Sequence, residues 1–288
     1  MLLSPFLAAA DAHIQLEKEI MIAFLALLVW DHLATMPAEW RLMWKRQKWT
    51  LVRVSFFLNR YWVLWATMFN TVYYLGDISD RLCTRTSWIL RANIIALFLF
   101  TDSILLIRVY AIFEKSKPVL VSLLALLTVE MVMMITSSFF FRPYTLPPGA
   151  DIFLSMKGCT SLPDFDKLQL VSILFWLPSL VFNTAVLVLT VCRSWTVERR
   201  CGKVPVLTAM RTSGTLYFAV VVVANCVSLG FSSQTNISLQ FIGNSPSTIL
   251  TSIMCSRLVL SLRERSYDWK TPRTSGVPLA AHPQRASK

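Results

Sequence analysis

The chain has 288 residues, 55% of them hydrophobic and 15% charged, with a mean hydropathy of +0.55. That is more apolar surface than a soluble domain can hide, so lipid is the expected solvent. Lys and Arg number 28 against 16 Asp and Glu, a net charge of +12, and with no soluble basic domain to carry it the excess reads as charge that attracts anionic lipid, not nucleic acid.

The first residues, MLLSPFLAAADA, resemble the end of a signal peptide but are short and lack a basic start, so 1–18 is expected to be an outer tail. A hydrocarbon core of about 30 Å takes about 20 apolar helical residues. Runs that meet this centre on 20–43, 52–75, 88–110, 119–141, 168–192, 209–231 and 239–262, within one membrane domain at 19–262. Backbone groups cannot stay unpaired in hydrocarbon, and the runs lack the alternation of a barrel strand. The predicted fold is therefore all-α, a bundle of seven transmembrane helices. Residues 263–288 read as a basic inner tail, disordered from about Thr271, with a short interfacial helix over Ser261–Trp269.

Orientation follows from the basic residues between the runs. With the amino terminus outside, the inner segments hold sixteen: Lys45, Arg46, Lys48, Arg53, Lys115, Lys117, Arg193, Arg199, Arg200, Lys203, Arg263, Arg265, Lys270, Arg273, Arg285 and Lys288. The outer ones hold six: Lys18, Arg81, Arg85, Arg142, Lys157 and Lys167. This asymmetry predicts the amino terminus outside and the carboxyl terminus inside. The sequon Asn236-Ile-Ser238 then falls in an outer loop and is a glycosylation candidate, close to the membrane. Cys83 and Cys159 fall on the same side, in an oxidising compartment, and form a disulfide candidate. The alternative is two unrelated thiols, because sequence does not give their separation. Cys192, Cys201, Cys226 and Cys255 lie in spans or on the inner side, as free thiols or palmitoylation sites.

Ionisable groups in hydrocarbon cost a few kcal/mol or more and face the bundle interior, so chemistry is sought among Asp31, Glu39, Arg60, Asp102 and Glu130. Asp31, Thr35 and Glu39 recur at four-residue spacing, which makes one polar stripe on span one. Arg60 enters span two to a depth between Glu39 and Asp31, on an antiparallel neighbour, so a pairing with either acid is expected. It serves either as a helix-register device or in ligand or proton movement.

Span three ends with Arg108-Val-Tyr110 and span seven closes past Arg257. Arg108, Tyr110 and Arg257 are candidates for an inner-face switch or for snorkelling anchors. Arg-Val-Tyr loosely resembles the Asp/Glu-Arg-Tyr element of G-protein-coupled receptors, without the preceding acid, and Asn244-Ser-Pro246 does not match their Asn-Pro-x-x-Tyr element.

A closer resemblance rests on Asp31, Glu39, Trp44, Trp49 and Phe56-Phe57-Leu58-Asn59-Arg60-Tyr61, with Arg108-Val-Tyr110-Ala-Ile and Ser256-Arg257-Leu258 to Glu264 as later landmarks. These residues resemble an uncharacterised family of multi-pass membrane proteins abundant in mushroom-forming fungi, a domain of unknown function. The resemblance implies a seven-span fungal protein, often described as receptor-like, and supplies no catalytic residues.

Enzyme chemistry finds little support. His13, His32 and His282 are dispersed and make no haem-holding pairs. HExxH, GxSxG and Gly-rich phosphate loops are missing from a chain with eight Gly, and 239–262 holds no Lys for a retinal Schiff base. The chain is expected to be no enzyme and to need no cofactor or metal. Two readings compete: a plasma-membrane receptor with an outer ligand pocket closed by residues 142–167, or a transporter or channel lined by Asp31, Arg60, Asp102 and Glu130. A non-signalling structural membrane component is a further alternative. Expected partners are the bilayer, anionic lipid at the inner face, an unknown small ligand and an inner-side signalling protein.

Overall fold

A computed structural model describes residues 3–45, 49–76, 78–144, 160–163, 168–201, 205–234 and 243–270. Among them are seven long helices, one for each apolar run. They are α1 (Leu3–Glu39), α2 (Leu51–Leu75), α3 (Asp80–Ile112), α4 (Lys117–Ser138), α5 (Leu168–Cys201), α6 (Pro205–Ser232) and α7 (Asn244–Lys270). Four helical stretches are by themselves long and apolar enough to cross a bilayer: Gln15–Trp44, Arg81–Ile112, Lys117–Ser138 and Leu170–Thr196. In α6 the apolar part is the shorter Leu216–Ser232. Both α2 and α7 are diluted by polar residues, and many of these, Asn59, Arg60, Ser252 and Ser256 among them, are buried against neighbouring helices.

Three local features depart from expectation. Helix α1 begins at Leu3, so most of the expected outer tail continues span one, and α7 runs unbroken to Lys270 through the expected interfacial helix. In the connector between α4 and α5, β1 (Phe141–Tyr144) and β2 (Thr160–Pro163) pair antiparallel, Phe141 opposite Pro163 and Tyr144 opposite Thr160. Alternate residues give no signal in strands of four, so the run of Phe read as the end of a span.

The helices close into a ring. Each packs on the next in chain order, α7 returns to α1 and α2, and α3 stands centrally against α2, α4, α5 and α7. Contacts at the two ends show that directions alternate. At the basic end Arg41 pairs with Glu264 at 2.5 Å, and Arg193 with Glu114. At the hairpin end Tyr74 donates to Glu17 at 2.7 Å and Ser228 donates to the Gly243 carbonyl at 2.9 Å. The basic-end turn between α3 and α4 is made by Glu114 and Lys115, both left-handed at φ 54° and 64°, after which Pro118 starts α4 where its missing N–H costs nothing.

Apolar interdigitation fills the centre. Toward the basic end, Leu105 and Val109 of α3 meet Leu123 and Leu127 of α4, Phe182 and Val186 of α5, Phe218 of α6 and Leu258 of α7. Toward the hairpin end, Leu28, Val63, Leu97, Ile249 and Ile253 join α1, α2, α3 and α7. The outward faces are equally apolar, with Trp30, Trp49, Trp88, Val121, Val132 and Val223 all more than half exposed. An apolar outside suits lipid, in which helices associate through close packing and internal polar contacts. Gly243 shows the tolerance of that packing: a Cβ there would lie 3.1 Å from Ser228 Cα and 3.2 Å from the Phe231 ring. Gly243→Ala is therefore expected to push α6 from α7 and cost about 1–3 kcal/mol, read as a lower melting temperature in detergent.

Candidate functional site: a buried ion cluster

The site begins with Pro37. Proline inside α1 removes one backbone donor and crowds the carbonyl four residues earlier, and just beyond it residues Trp40–Trp44 form a π-helical turn. A π turn brings residues five apart onto one face, and so the Trp44 indole N–H donates to Glu39 Oε1 at 3.0 Å. The ordinary α-helical stripe above it delivers Asp31, Thr35 and Glu39 to the same side, with the Thr35 hydroxyl donating to the Asp31 carbonyl at 2.6 Å.

Arg60 of α2 fills the groove against this stripe and is 1% exposed. Its Nε lies 2.6 Å from Glu39 Oε2 and its Nη1 lies 3.8 Å from Asp31 Oδ2. Its Nη2 donates to the His32 carbonyl at 3.0 Å and to the Thr35 hydroxyl at 2.7 Å. One guanidinium fork thus spans two turns of α1, which a lysine ammonium has no geometry to do. Tyr61 donates to Glu39 Oε1 at 2.8 Å. The His32 ring bridges the helices, with Nδ1 2.9 Å from the Leu28 carbonyl and Nε2 3.0 Å from the Arg60 carbonyl.

Asp31 has a second, closer cation. Arg257 Nε of α7 donates to Asp31 Oδ1 at 2.6 Å, so α1, α2 and α7 are tied by two acids and two arginines whose charges cancel. Cancellation is what makes ion burial tolerable at this depth. The two arginines differ in exposure: the Arg257 side chain is 46% exposed and the Arg60 side chain 1%. Arg257→Ala is therefore expected to destabilise less than Arg60→Ala, since water or headgroups reach the vacated position beside Asp31. Paired melting curves of the two variants check the order.

Beside this cluster Asn59 joins three helices with every polar valence used. Its amide donates to the Ser252 carbonyl at 3.3 Å and the Ser256 hydroxyl at 3.2 Å, and its oxygen accepts from Thr101 at 2.8 Å and Ser252 at 3.3 Å.

The five ionisable residues of the apolar runs, Asp31, Glu39, Arg60, Asp102 and Glu130, fall into two clusters. Asp102 and Glu130 meet each other between α3 and α4, away from Arg60, because α3 turns Thr101 toward α2 and Asp102 toward α4. Arg108 lies with its guanidinium 4.8 Å from the centroid of the Phe218 ring on α6, with Nη1 lacking an acceptor. Tyr110 is half-buried near the same end. Arg257, expected as an anchor or switch, is an ion partner of α1. Cys83 is fully buried and is not among the free thiols Cys192, Cys226 and Cys255, while Cys159 and Asn236 lie outside the described residues. Sequence reasoning missed His32, Asn59, Tyr61 and Trp44 as partners. The imbalance of two acids against one arginine was the available signal for Arg257.

Near the hairpin end a pocket of about 50 Å³ opens between α1, α2, α3 and α7, lined by Met21, Asn70, Asn93, Leu97, Thr248 and Ile249 among others. Asn70 Oδ1 and Asn93 Nδ2 have no hydrogen-bond partner there, one an acceptor and the other a donor.

No curated protein matches the chain. Residues 20–65, which contain Asp31, His32, Thr35, Glu39, Trp44, Asn59, Arg60 and Tyr61, match the model of a family of unknown function, DUF6533, so the ion cluster between α1 and α2 lies wholly in the segment similar to that family.

Proposed function

We propose that this chain is a seven-pass membrane protein of receptor type, in which all seven helices cross, the hairpin end faces outside and the basic end faces the cell interior. The hairpin-end pocket takes a small ligand, or the polar tip of a longer one, that offers a donor to Asn70 Oδ1 and an acceptor to Asn93 Nδ2. The observation that carries this reading is how the pocket is floored. Leu97 and Ile249 belong both to its lining and to the apolar cluster with Leu28, Val63 and Ile253, and the neutralised ions of Asp31, Glu39, Arg60 and Arg257 lie below. A transport path needs polar or wet lining through the midplane, whereas a receptor needs a floor that transmits a shift. Arg108 against Phe218 then joins α3 to α6 at the end offered to an inner-side signalling protein.

The test uses the full chain in liposomes. Faster nucleotide exchange on a purified heterotrimeric G protein, reduced by Arg108→Ala, supports the receptor. Proton, sodium or potassium flux above that of empty liposomes overturns it in favour of transport. Orientation is checked with an impermeant maleimide on intact cells, after Cys192 and Cys226 are replaced by Ser. Ser233→Cys is expected to label from outside and Lys115→Cys only after permeabilisation. The reverse pattern inverts the topology.

A disulfide between Cys83 and Cys159 belongs to the same reading. Helix α3, which carries Cys83 near its start, packs against both β strands, and Cys159 immediately precedes Thr160, the first residue of β2. Peptide mapping without reduction is expected to recover the two cysteines linked, and a free thiol at both sinks the pairing.

A further inference from the structure

Two carboxyl groups sit in the middle of the bundle, and among the described residues no cation forms an ion pair with either. Asp102 of α3 is 1% exposed and Glu130 of α4 is 0% exposed, and the two side chains meet within hydrogen-bonding range. None of their four oxygens has a hydrogen-bond partner when both are counted as carboxylates. Among the described residues the neighbouring helices bring polar but uncharged groups to the pair. From α5 come Ser179, beside Glu130, and Asn183, whose amide donates to the Ser179 carbonyl at 2.9 Å and its hydroxyl at 3.3 Å. Asn183 is itself 1% exposed and its Oδ1 is a further unpartnered acceptor in this cluster. From α7 comes the buried Cys255 thiol, close enough to feel the charges of both Asp102 and Arg108. The α2 neighbour Asn59 bonds to Thr101 and is neutral.

Five acceptor oxygens, with the Ser179 hydroxyl beside Glu130 as the one strong donor near them among the described residues, are an unstable arrangement in a low-dielectric interior. Two carboxylates at contact repel each other, and neither recovers its lost hydration. One proton removes both problems, because a protonated carboxyl becomes the donor that its neighbour accepts and one negative charge disappears. A pair of this kind titrates as a unit, so the proton belongs to both residues.

We propose that Asp102 and Glu130 form a proton-binding site that holds a shared proton in the folded protein at neutral pH. The proton comes from water and returns to it, and no other bond is made or broken. Opening of the contact among α3, α4 and α5 lets it leave, which couples the packing of these helices to pH. This holds whether the protein signals or transports, since it rests on the cluster and not on the hairpin-end pocket.

The test compares wild type with the double variant Asp102→Asn, Glu130→Gln, which keeps shape and removes both acids. Infrared spectra of reconstituted wild-type protein at neutral pH are expected to show a protonated-carboxyl stretch that shifts in heavy water and is missing from the double variant. Identical spectra overturn the proposal. Thermal unfolding gives an independent reading. The folded wild type holds a proton that the unfolded chain has lost, so its unfolding constant is expected to rise by up to about tenfold per pH unit between about pH 6 and 8, and that of the double variant to stay flatter. Equal slopes overturn the proposal. Sodium at fixed pH that stabilises wild type and not the double variant, against choline, overturns the proton in favour of a metal cation. Should the double variant not fold, Glu130→Gln alone serves, because its amide donates to Asp102 and removes the need for the shared proton.

Discussion

Arg60→Met is expected to be the most damaging single change in this chain. Methionine roughly keeps the volume, but Glu39 and Asp31 remain buried, 1% and 2% exposed, and Glu39 loses its one ion partner among the described residues while Thr35 and the His32 carbonyl lose a donor. Breaking one side of a buried ion pair costs roughly 3–5 kcal/mol, because the surviving charge is stranded. In detergent this appears as a large fall in melting temperature or a failure to accumulate folded protein. Arg60→Lys recovers only part, since one ammonium reaches one acid and not two turns of α1. Adding Glu39→Gln to Arg60→Met removes the stranded charge, and the pair is expected to couple by about 1–3 kcal/mol in a double-mutant cycle. Strictly additive losses would show that the 2.6 Å contact carries no energy. The charge exchange, Glu39→Arg with Arg60→Glu, separates register from chemistry: recovery of folding without recovery of function assigns the cluster a role beyond holding α1 to α2.

Asn59→Leu comes next in expected effect. The leucine leaves Thr101 with only its bond to the Leu97 carbonyl, removes the acceptor of Ser252 and exposes the Ser256 hydroxyl and the Ser252 carbonyl to a site without donors. Stranded buried polar groups cost about 1–3 kcal/mol, while single hydrogen bonds between membrane helices average about 0.6 kcal/mol. The joint of α2, α3 and α7 is thus expected to lose about 1–3 kcal/mol. Asn59→Asp is the informative companion: it keeps the acceptors of Thr101 and Ser252 and loses both donated bonds, so it is expected to melt lower than wild type at neutral pH. If both variants melt like wild type, the four bonds are incidental to the fold.

Hydropathy locates the seven long helices of the described residues because each contains an apolar run, a signal written locally in about 20 consecutive residues. The Asp31–Thr35–Glu39 stripe was legible for the same reason, since spacing along one helix fixes a shared face. Arg60 was legible as a neighbour because a short connector makes α1 and α2 adjacent. The strand pair was not, since strands as short as Phe141–Tyr144 and Thr160–Pro163 depend on a partner across a long connector. Nor did position 37 reveal the π turn that aims Trp44 at Glu39, because a proline allows a kink, a π turn or a helix end.

The sequence by itself therefore determined the apolar character of this protein, the approximate bounds of the seven long helices among the described residues and which polar residues had to face inward. Tertiary structure decided their partners. Arg257 is 226 residues from Asp31 in the chain and reaches it only because α7 closes the ring against α1. Asp102 and Glu130 lie within apolar runs as Arg60 does, yet the rotation of α3 sends Asp102 toward α4 and leaves the two acids together. Depth in a membrane is a one-dimensional property that a sequence carries along its length, while pairing depends on how each helix is rotated, which is set by packing against all its neighbours at once.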